Sequence, residues 1–282
     1  MAKFPIGVMM ESFRLSPEEA IEKARLLGAQ GLQIYATPNA LEEKGWTTKA
    51  KQQEILKRIK DNGLVVSALC GDLGHGFGNA ELNPELVEKS KRIMDLALEM
   101  ETTVVTTHIG VVPSDNTNPR FKIMQDACGE LAQYADSVGA HFAIETGPET
   151  SLTLKGFLDS LHSTGVSVNL DPANLIMVTG DDPVQAVYNL KDYIVHTHAK
   201  DGVKLLDRDP EIIYGLRPGD PLVTSPAFIE LALGDGDVPF DPYLKALEEI
   251  GYKGFLTIER EVGDNPQGDI AKAVDFLKGF MD

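Results

Sequence analysis

Four apolar runs in this sequence end in a side chain that can bind a metal or move a proton: HFAIE at Glu145, VSVNLD at Asp171, YIVHTH at His198 and GFLTIE at Glu259. Side chains alternate along a strand, so each run sorts into two faces. Phe142 and Ile144 oppose Ala143 and Glu145, Val168 and Leu170 oppose Asn169 and Asp171, and Leu256 and Ile258 oppose Thr257 and Glu259. In YIVHTH, Ile194, His196 and His198 share one face and Val195 and Thr197 the other. In three of the four runs one face is apolar and fit to pack under helices, while the other is small or polar and ends in the candidate ligand.

Three carboxylates and one imidazole meeting at a point form a hard, oxygen-rich set. It suits Mn²⁺ best, with Mg²⁺ or Co²⁺ as alternatives, and lacks the thiolates of structural zinc sites. Adjacent carboxylates also need a cation, because their repulsion otherwise keeps some protonated. Taken singly, each residue has a plainer role. A strand-end Asp or Glu usually caps a helix or pairs with a lysine; Asp171, before Pro172, fits an N-cap, and His196 or His108 alone fits a hydrogen-bonded core histidine. The joint parity of four strand ends favours the site.

Eight strand-like runs recur along the chain, at 4–10, 31–36, 64–69, 103–110, 141–145, 166–171, 193–198 and 254–259. Between them lie amphipathic stretches with start and stop signals. SPEEAIEKARLLG opens on a Ser16–Glu19 capping box with Pro17 in its first turn and ends at Gly28; KQQEILKRIKDNG ends at Gly63 and DPYLKALEEIG at Gly251. Eight strand–helix alternations in 282 residues point to a single-domain (β/α)8 barrel over 1–282 rather than a doubly wound sheet, and no GxGxxG follows the first strand. In such a barrel the strand ends converge on the C-terminal rim, with the catalytic loops. The longest irregular stretch, 199–236, follows the seventh strand and falls on that rim, as do the glycine-rich segment after strand three and the Trp46 segment after strand two.

Composition narrows the partners. Lys plus Arg number 26 against 43 Asp plus Glu, a formal net charge of −17, which disfavours nucleic acid and anionic membranes and favours a small neutral substrate. No run approaches the roughly 18–20 apolar residues of a membrane span, the apolar stretch near Met1 is too short for a signal peptide, and Cys70 and Cys128 form no disulfide framework. The expectation is a cytoplasmic protein.

HTHAKDG followed by LGDGDVPF and YLKALEEIGYKGFLTIERE, together with AIET and NLDPANL, resembles the xylose isomerase-like TIM barrel superfamily over essentially the whole chain. That superfamily includes sugar phosphate isomerase/epimerase-like proteins, ketose 3-epimerases, inosose dehydratases and, further away, endonuclease IV enzymes. The resemblance implies a divalent metal on Glu145, Asp171, His198 and Glu259, with Glu145 and Glu259 also the acid/base pair, and a homo-oligomer, dimer or tetramer. The chain departs from the epimerases at two substrate positions. Asn174 stands where they have a histidine, and can donate a hydrogen bond but cannot carry a proton; Ser151 stands where they have a glutamate, with Glu149 nearby. The endonuclease branch fits less well: His108 matches one of its histidines, whereas Cys70 and Asn174 depart from others.

The reaction expected on this pattern is isomerisation or epimerisation of a keto sugar or related polyol. One glutamate removes a proton beside a carbonyl, an enediolate forms, and the other glutamate returns the proton. Lys200 and Asp201 could orient His198 or contact substrate hydroxyls, with a solvent-facing salt bridge as the plainer role for Lys200, and His108 could bond a sugar oxygen or a metal-bound water. Trp46 and Phe77 could lie against a sugar face or simply anchor loops, and Arg217 could reach a phosphate or carboxylate or be solvated. The alternative is a lyase built on the same proton abstraction, either an inosose-type dehydratase or an enzyme eliminating from a 3-keto-glycoside. A sugar-binding barrel without catalysis is the rival of another class, and the retention of both glutamates argues against it.

Overall fold

A computed structural model describes residues 4–280. Eight parallel strands close into a barrel: β1 (Ile6–Met9), β2 (Gly31–Tyr35), β3 (Val65–Cys70), β4 (Val104–Thr107), β5 (His141–Glu145), β6 (Val166–Leu170), β7 (Ile194–Ala199) and, last in the chain, β10 (Leu256–Ile258). Going round the barrel the order is β1, β10, β7, β6, β5, β4, β3, β2, so sequential strands are neighbours and β10 closes on β1. This is the (β/α)8 fold expected from the alternation.

The strands' outward side chains form one core with the surrounding helices. Leu32, Ile34, Phe142, Ile144, Val168, Leu170, Leu256 and Ile258 all belong to it. Helix Pro17–Leu27 begins at the complete capping box, Ser16 accepting from the Glu19 N–H while the Glu19 carboxylate accepts from the Ser16 N–H, and it ends at Gly28 in a left-handed turn. The next two stretches read as helical are helices Lys49–Asp61 and Phe240–Glu249.

The barrel interior is polar. Gln33, Thr106, Asn169, His196 and Thr257 point inward and are fully buried. Gly7 makes room for this layer, since a Cβ there would lie 2.6 Å from Thr257 Oγ1.

The stretch 199–236 is more ordered than its sequence suggests. It carries an antiparallel hairpin, β8 (Asp201–Lys204) against β9 (Phe228–Leu231), with the short helix Pro210–Ile213 in the connection. Two four-residue strands separated by more than 20 residues give little periodic signal, and their pairing is non-local. Asp201 holds the base of the hairpin. Its Oδ1 accepts from the N–H groups of Gly202 (2.9 Å) and Val238 (3.1 Å), and its Oδ2 from those of Gly234 (2.9 Å) and Gly236 (3.0 Å). A side chain at Gly236 would collide with Asp201, its Cβ coming to 2.2 Å from Oδ1, which explains the glycine-rich sequence there. No helix among the described residues is long and apolar enough to cross a membrane.

Candidate metal centre

Parity brings four strand ends to one point. Glu145 ends β5, Asp171 follows β6, His198 lies near the end of β7 and Glu259 follows β10. One ligand atom from each lies within 4.8 Å of the others, and all four residues are buried. His198 Nδ1 is 3.4 Å from Glu145 Oε1, 3.4 Å from Asp171 Oδ2 and 3.2 Å from Glu259 Oε2.

The imidazole is held from behind. Gln33 Nε2 donates to Thr106 Oγ1 at 2.9 Å, which leaves Gln33 Oε1 as an acceptor 3.1 Å from His198 Nε2. The Asn169 amide nitrogen lies 3.2 Å from the same Nε2, so Gln33 and Asn169 together fix the ring and turn Nδ1 to the carboxylates, the orientation of a metal-ligating histidine with outer hydrogen bonds. Asp171 is an N-cap, as one reading had it, and is placed for the other role as well. Its Oδ1 caps the following turn, accepting from the N–H groups of Ala173 and Asn174 at 2.9 Å each, while its Oδ2 is buried without a partner. His198 Nδ1 is likewise buried and unpaired. Two orphaned polar atoms, aimed at each other and at two more carboxylates, are what a divalent cation would satisfy.

The electrostatics agree. Burial works against a charged His198, but Glu259 and Glu145 outweigh it and raise the imidazole well above its ordinary value. Burial likewise works against an ionised Glu259, yet His198 and Lys200 hold it far below the usual carboxylate range; Glu145 is lowered by His108 and His198 against the same opposition. The point between these residues draws positive charge, and a cation would take the place of the Nδ1 proton. The four residues could hold a metal ion, and the hard donor set suits Mn²⁺, Mg²⁺ or Co²⁺.

Above the cluster opens a cavity of about 530 Å³, lined by Glu145 and Glu259 and by Tyr35, His108, Asn174, Lys200, Tyr214 and Glu261 among others. His108 Nε2 lies 3.5 Å from Glu145 Oε1. Asn174 spends its amide on Glu145 Oε1 (3.1 Å) and the Thr146 carbonyl (3.3 Å), so it positions Glu145 while lining the cavity. Lys200 is 3% exposed, not solvent-facing; its ammonium donates to Glu259 Oε2 at 3.0 Å, pairs with Glu261 and lies 3.9 Å from Asp171 Oδ2.

Five sequence candidates fall outside this cavity. Asp201 has both oxygens committed to the hairpin base. Trp46 is buried in the core with Lys44 Nζ 5.6 Å over its ring, because an apolar ring at a loop end gains more from burial than from the rim. Arg217 is half exposed and pairs with Asp209 and Glu211, the acidic residues of its own loop. Glu149 faces a separate cavity next to the first. Phe77 also packs in the core, edge-on to Phe142 with ring centroids 6.1 Å apart.

His196, two residues before His198, takes the plainer role. Asn169 Oδ1, which can only accept, lies 3.0 Å from its Nδ1, and Thr257 Oγ1 lies 3.0 Å from its Nε2. Burial holds His196 neutral, well below the ordinary histidine value. Sequence reasoning passed over Gln33 and Tyr35, although the parity that selected Glu145 also separates them from Leu32 and Ile34 in GLQIY. Tyr214 and Glu261 lie in segments without periodicity and carried no such signal.

Comparison with known proteins places this fold in a wider set. The family model described as xylose isomerase-like TIM barrel matches residues 21–280. The solved structure of a xylose isomerase domain protein from Planctomyces limnophilus superposes with a TM-score of 0.78 at 26% identity, covering 98% of this chain and 96% of that one. A D-tagatose 3-epimerase-like protein shares the fold, with a TM-score of 0.75 at 18% identity over 98% of this chain and 97% of its own. An inosose dehydratase of Lacticaseibacillus casei is 28% identical over 178 residues, so 58% of this chain spans only 56% of that relative.

Proposed function

We propose that this chain, which belongs to the xylose isomerase-like TIM barrel family, is a divalent-metal-dependent isomerase or epimerase of a keto sugar or related polyol. The observation that carries the reading is the convergence of Glu145 and Glu259, from strands three apart round the barrel, on the floor of one cavity beside His198 and Asp171. A divalent cation held by these four residues would supply Lewis acidity to a substrate carbonyl, making the adjacent C–H acidic enough to lose a proton. Mn²⁺ is the ion proposed.

The two glutamates are differently supported, which suits different tasks. Glu145 accepts from neutral amides, Asn169 Nδ2 at 3.2 Å and Asn174 Nδ2 at 3.1 Å. Glu259 has the Lys200 ammonium at 3.0 Å. Both carboxylates are held ionised, which fits Glu145 to take the proton beside the carbonyl; Glu259 returns one to the enediolate after drawing it from the Lys200 ammonium bonded to it, and exchange with solvent then takes the proton from Glu145 and restores the one on Lys200. His108 and Tyr214, neighbouring rings on the cavity wall with centroids 6.2 Å apart, orient the substrate's hydroxyls. The formal charge of −17 supports a small carbohydrate over a nucleic-acid substrate. A cytoplasmic homo-oligomer, dimer or tetramer, completes the proposal.

A second reading, dehydration after the same proton abstraction, is favoured by the inosose dehydratase relative and by Asn174, whose amide cannot carry a proton to a second face. Proton NMR in D₂O with the Mn²⁺-loaded protein and ketohexoses, inososes and 3-keto-glycosides tests both. Deuterium uptake beside the carbonyl with an isomeric product supports epimerisation, and a product lighter by water or by a glycosyl alcohol supports elimination. No uptake with any of these ketones would overturn the proposal.

A further inference from the structure

A second cavity, of about 340 Å³, opens on the same rim. It shares its walls with the first. The loop after β4 gives His108 to the first cavity and Val111 to the second; the end of β5 gives Glu145 and its loop Glu149; one turn gives Val178 and then Thr179. The short helix Pro210–Ile213 stands between the two, turning Ile213 to the first and Pro210 to the second. Four shared boundaries of this kind put the second cavity directly beside the first, as its annex.

The annex holds buried groups with nothing to bond. Glu149 is 6% exposed; its Oε2 accepts from the Val112 N–H at 3.2 Å, and its Oε1 is buried without a partner. Arg120, on the same cavity, pairs with Glu211 through Nη2, yet its Nε is also buried and unpaired. The chemistry of these two groups restricts the ligand. Asp115, Asp209 and Glu211 line the space and oppose an anion, since the single guanidinium is already engaged by Glu211. Burial pushes the Glu149 carboxyl up to about 8, so near neutrality it offers little charge to a cation. A hydroxyl group both donates and accepts, and so satisfies Glu149 in either protonation state as well as the Arg120 Nε–H. The volume lies within the ~300–1,000 Å³ typical of small-ligand pockets.

We propose that the annex is a subsite for a second hydroxylated ring of the substrate, hydrogen-bonded to Glu149, so that the preferred substrate is a keto sugar joined to another sugar or polyol. This rests on the reading of the first cavity as the keto-sugar site.

The test uses ligand-observed NMR titration of the full chain with two unreactive probes, maltitol, which has two units, and sorbitol, which has one. The wild type is expected to bind maltitol roughly tenfold more tightly, the worth of one or two net hydrogen bonds. Glu149→Ala should bring that ratio close to one without weakening sorbitol, and Glu149→Gln, which keeps the shape and a hydrogen-bonding group, should restore it. Thr153→Phe, which projects a ring into the annex from a partly exposed helix position, gives an independent block with the same expected loss. A wild-type ratio of one, or a preference unchanged in both Glu149→Ala and Thr153→Phe, overturns the proposal. A maltitol preference that these variants remove, in a protein that exchanges no deuterium into any ketone, would uphold the subsite and overturn the chemistry assigned to the first cavity. Exchange into keto monosaccharides with a ratio of one would do the reverse.

Discussion

Two layers of buried polar side chains sit one above the other in this barrel, with β6, β7 and β10 contributing to both. In the lower, Gln33, Thr106, Asn169, His196 and Thr257 bond to one another or to the residues above. In the upper, Asp171 Oδ2 and His198 Nδ1 are buried without partners. The two histidines, 5.9 Å apart centre to centre and nearly perpendicular, mark the contrast. Buried polarity alone therefore does not mark a candidate site; what sets the upper layer apart is that its carboxylates and imidazole turn unpartnered atoms to one point.

The contrast breaks most sharply at the glutamates. Glu145→Gln and Glu259→Gln should each lower deuterium exchange by roughly 10²–10⁴-fold while leaving the circular dichroism spectrum unchanged. Exchange retained in either would remove that residue from the acid/base pair. Next in size, His198→Asn should weaken Mn²⁺ binding at least about 100-fold by calorimetry, whereas His196→Asn should leave Mn²⁺ affinity within about tenfold and lower stability instead, by roughly 1–3 kcal/mol in urea melts. Equal losses of metal affinity would mean that the layers are not separate.

The pH dependence of the metal-free protein should carry opposite signs from the two rings. His196 is held neutral, its folded value well below 6.5, so its contribution to stability is present above about 6.5 and lost as the pH falls towards that lower value. His198 is raised in the folded state, so its contribution is full below about 6.5 and is lost as the pH rises through its folded value. Urea midpoints from pH 5 to 9 for the wild type and the two Asn variants check this; a variant whose profile parallels the wild type would show that its histidine does not titrate as described. The smallest effect is expected at Arg217. Arg217→Ala should change exchange less than about twofold and stability by about 0–1 kcal/mol, as for an exposed ion pair.

Much of this was legible in the sequence, for reasons that differ by residue. Glu145, Asp171, His198 and Glu259 were readable because a strand has a strict two-residue period and a barrel gives every strand end the same destination. Gln33 obeys the same rule but sits mid-strand, where nothing drew attention to it. Asp201 was misread because adjacency to His198 suggests a shared role, whereas its carboxylate is taken by four backbone N–H groups of a hairpin that no periodicity announced. The same gap hid the annex. Its walls come from four loops, and only the fold brings Glu149 and Arg120 to one space.

Asp171 gives one oxygen to the backbone N–H groups of Ala173 and Asn174 and the other to the cluster, and the turn it caps runs on through Leu175–Thr179 to the edge of both cavities. An ion held there would link its occupancy to local unfolding of this segment, and the linkage would be reciprocal. Whatever pins the carboxylate from one side slows amide exchange on the other, so residues 173–179 would act as a built-in reporter of whether the barrel is charged for work.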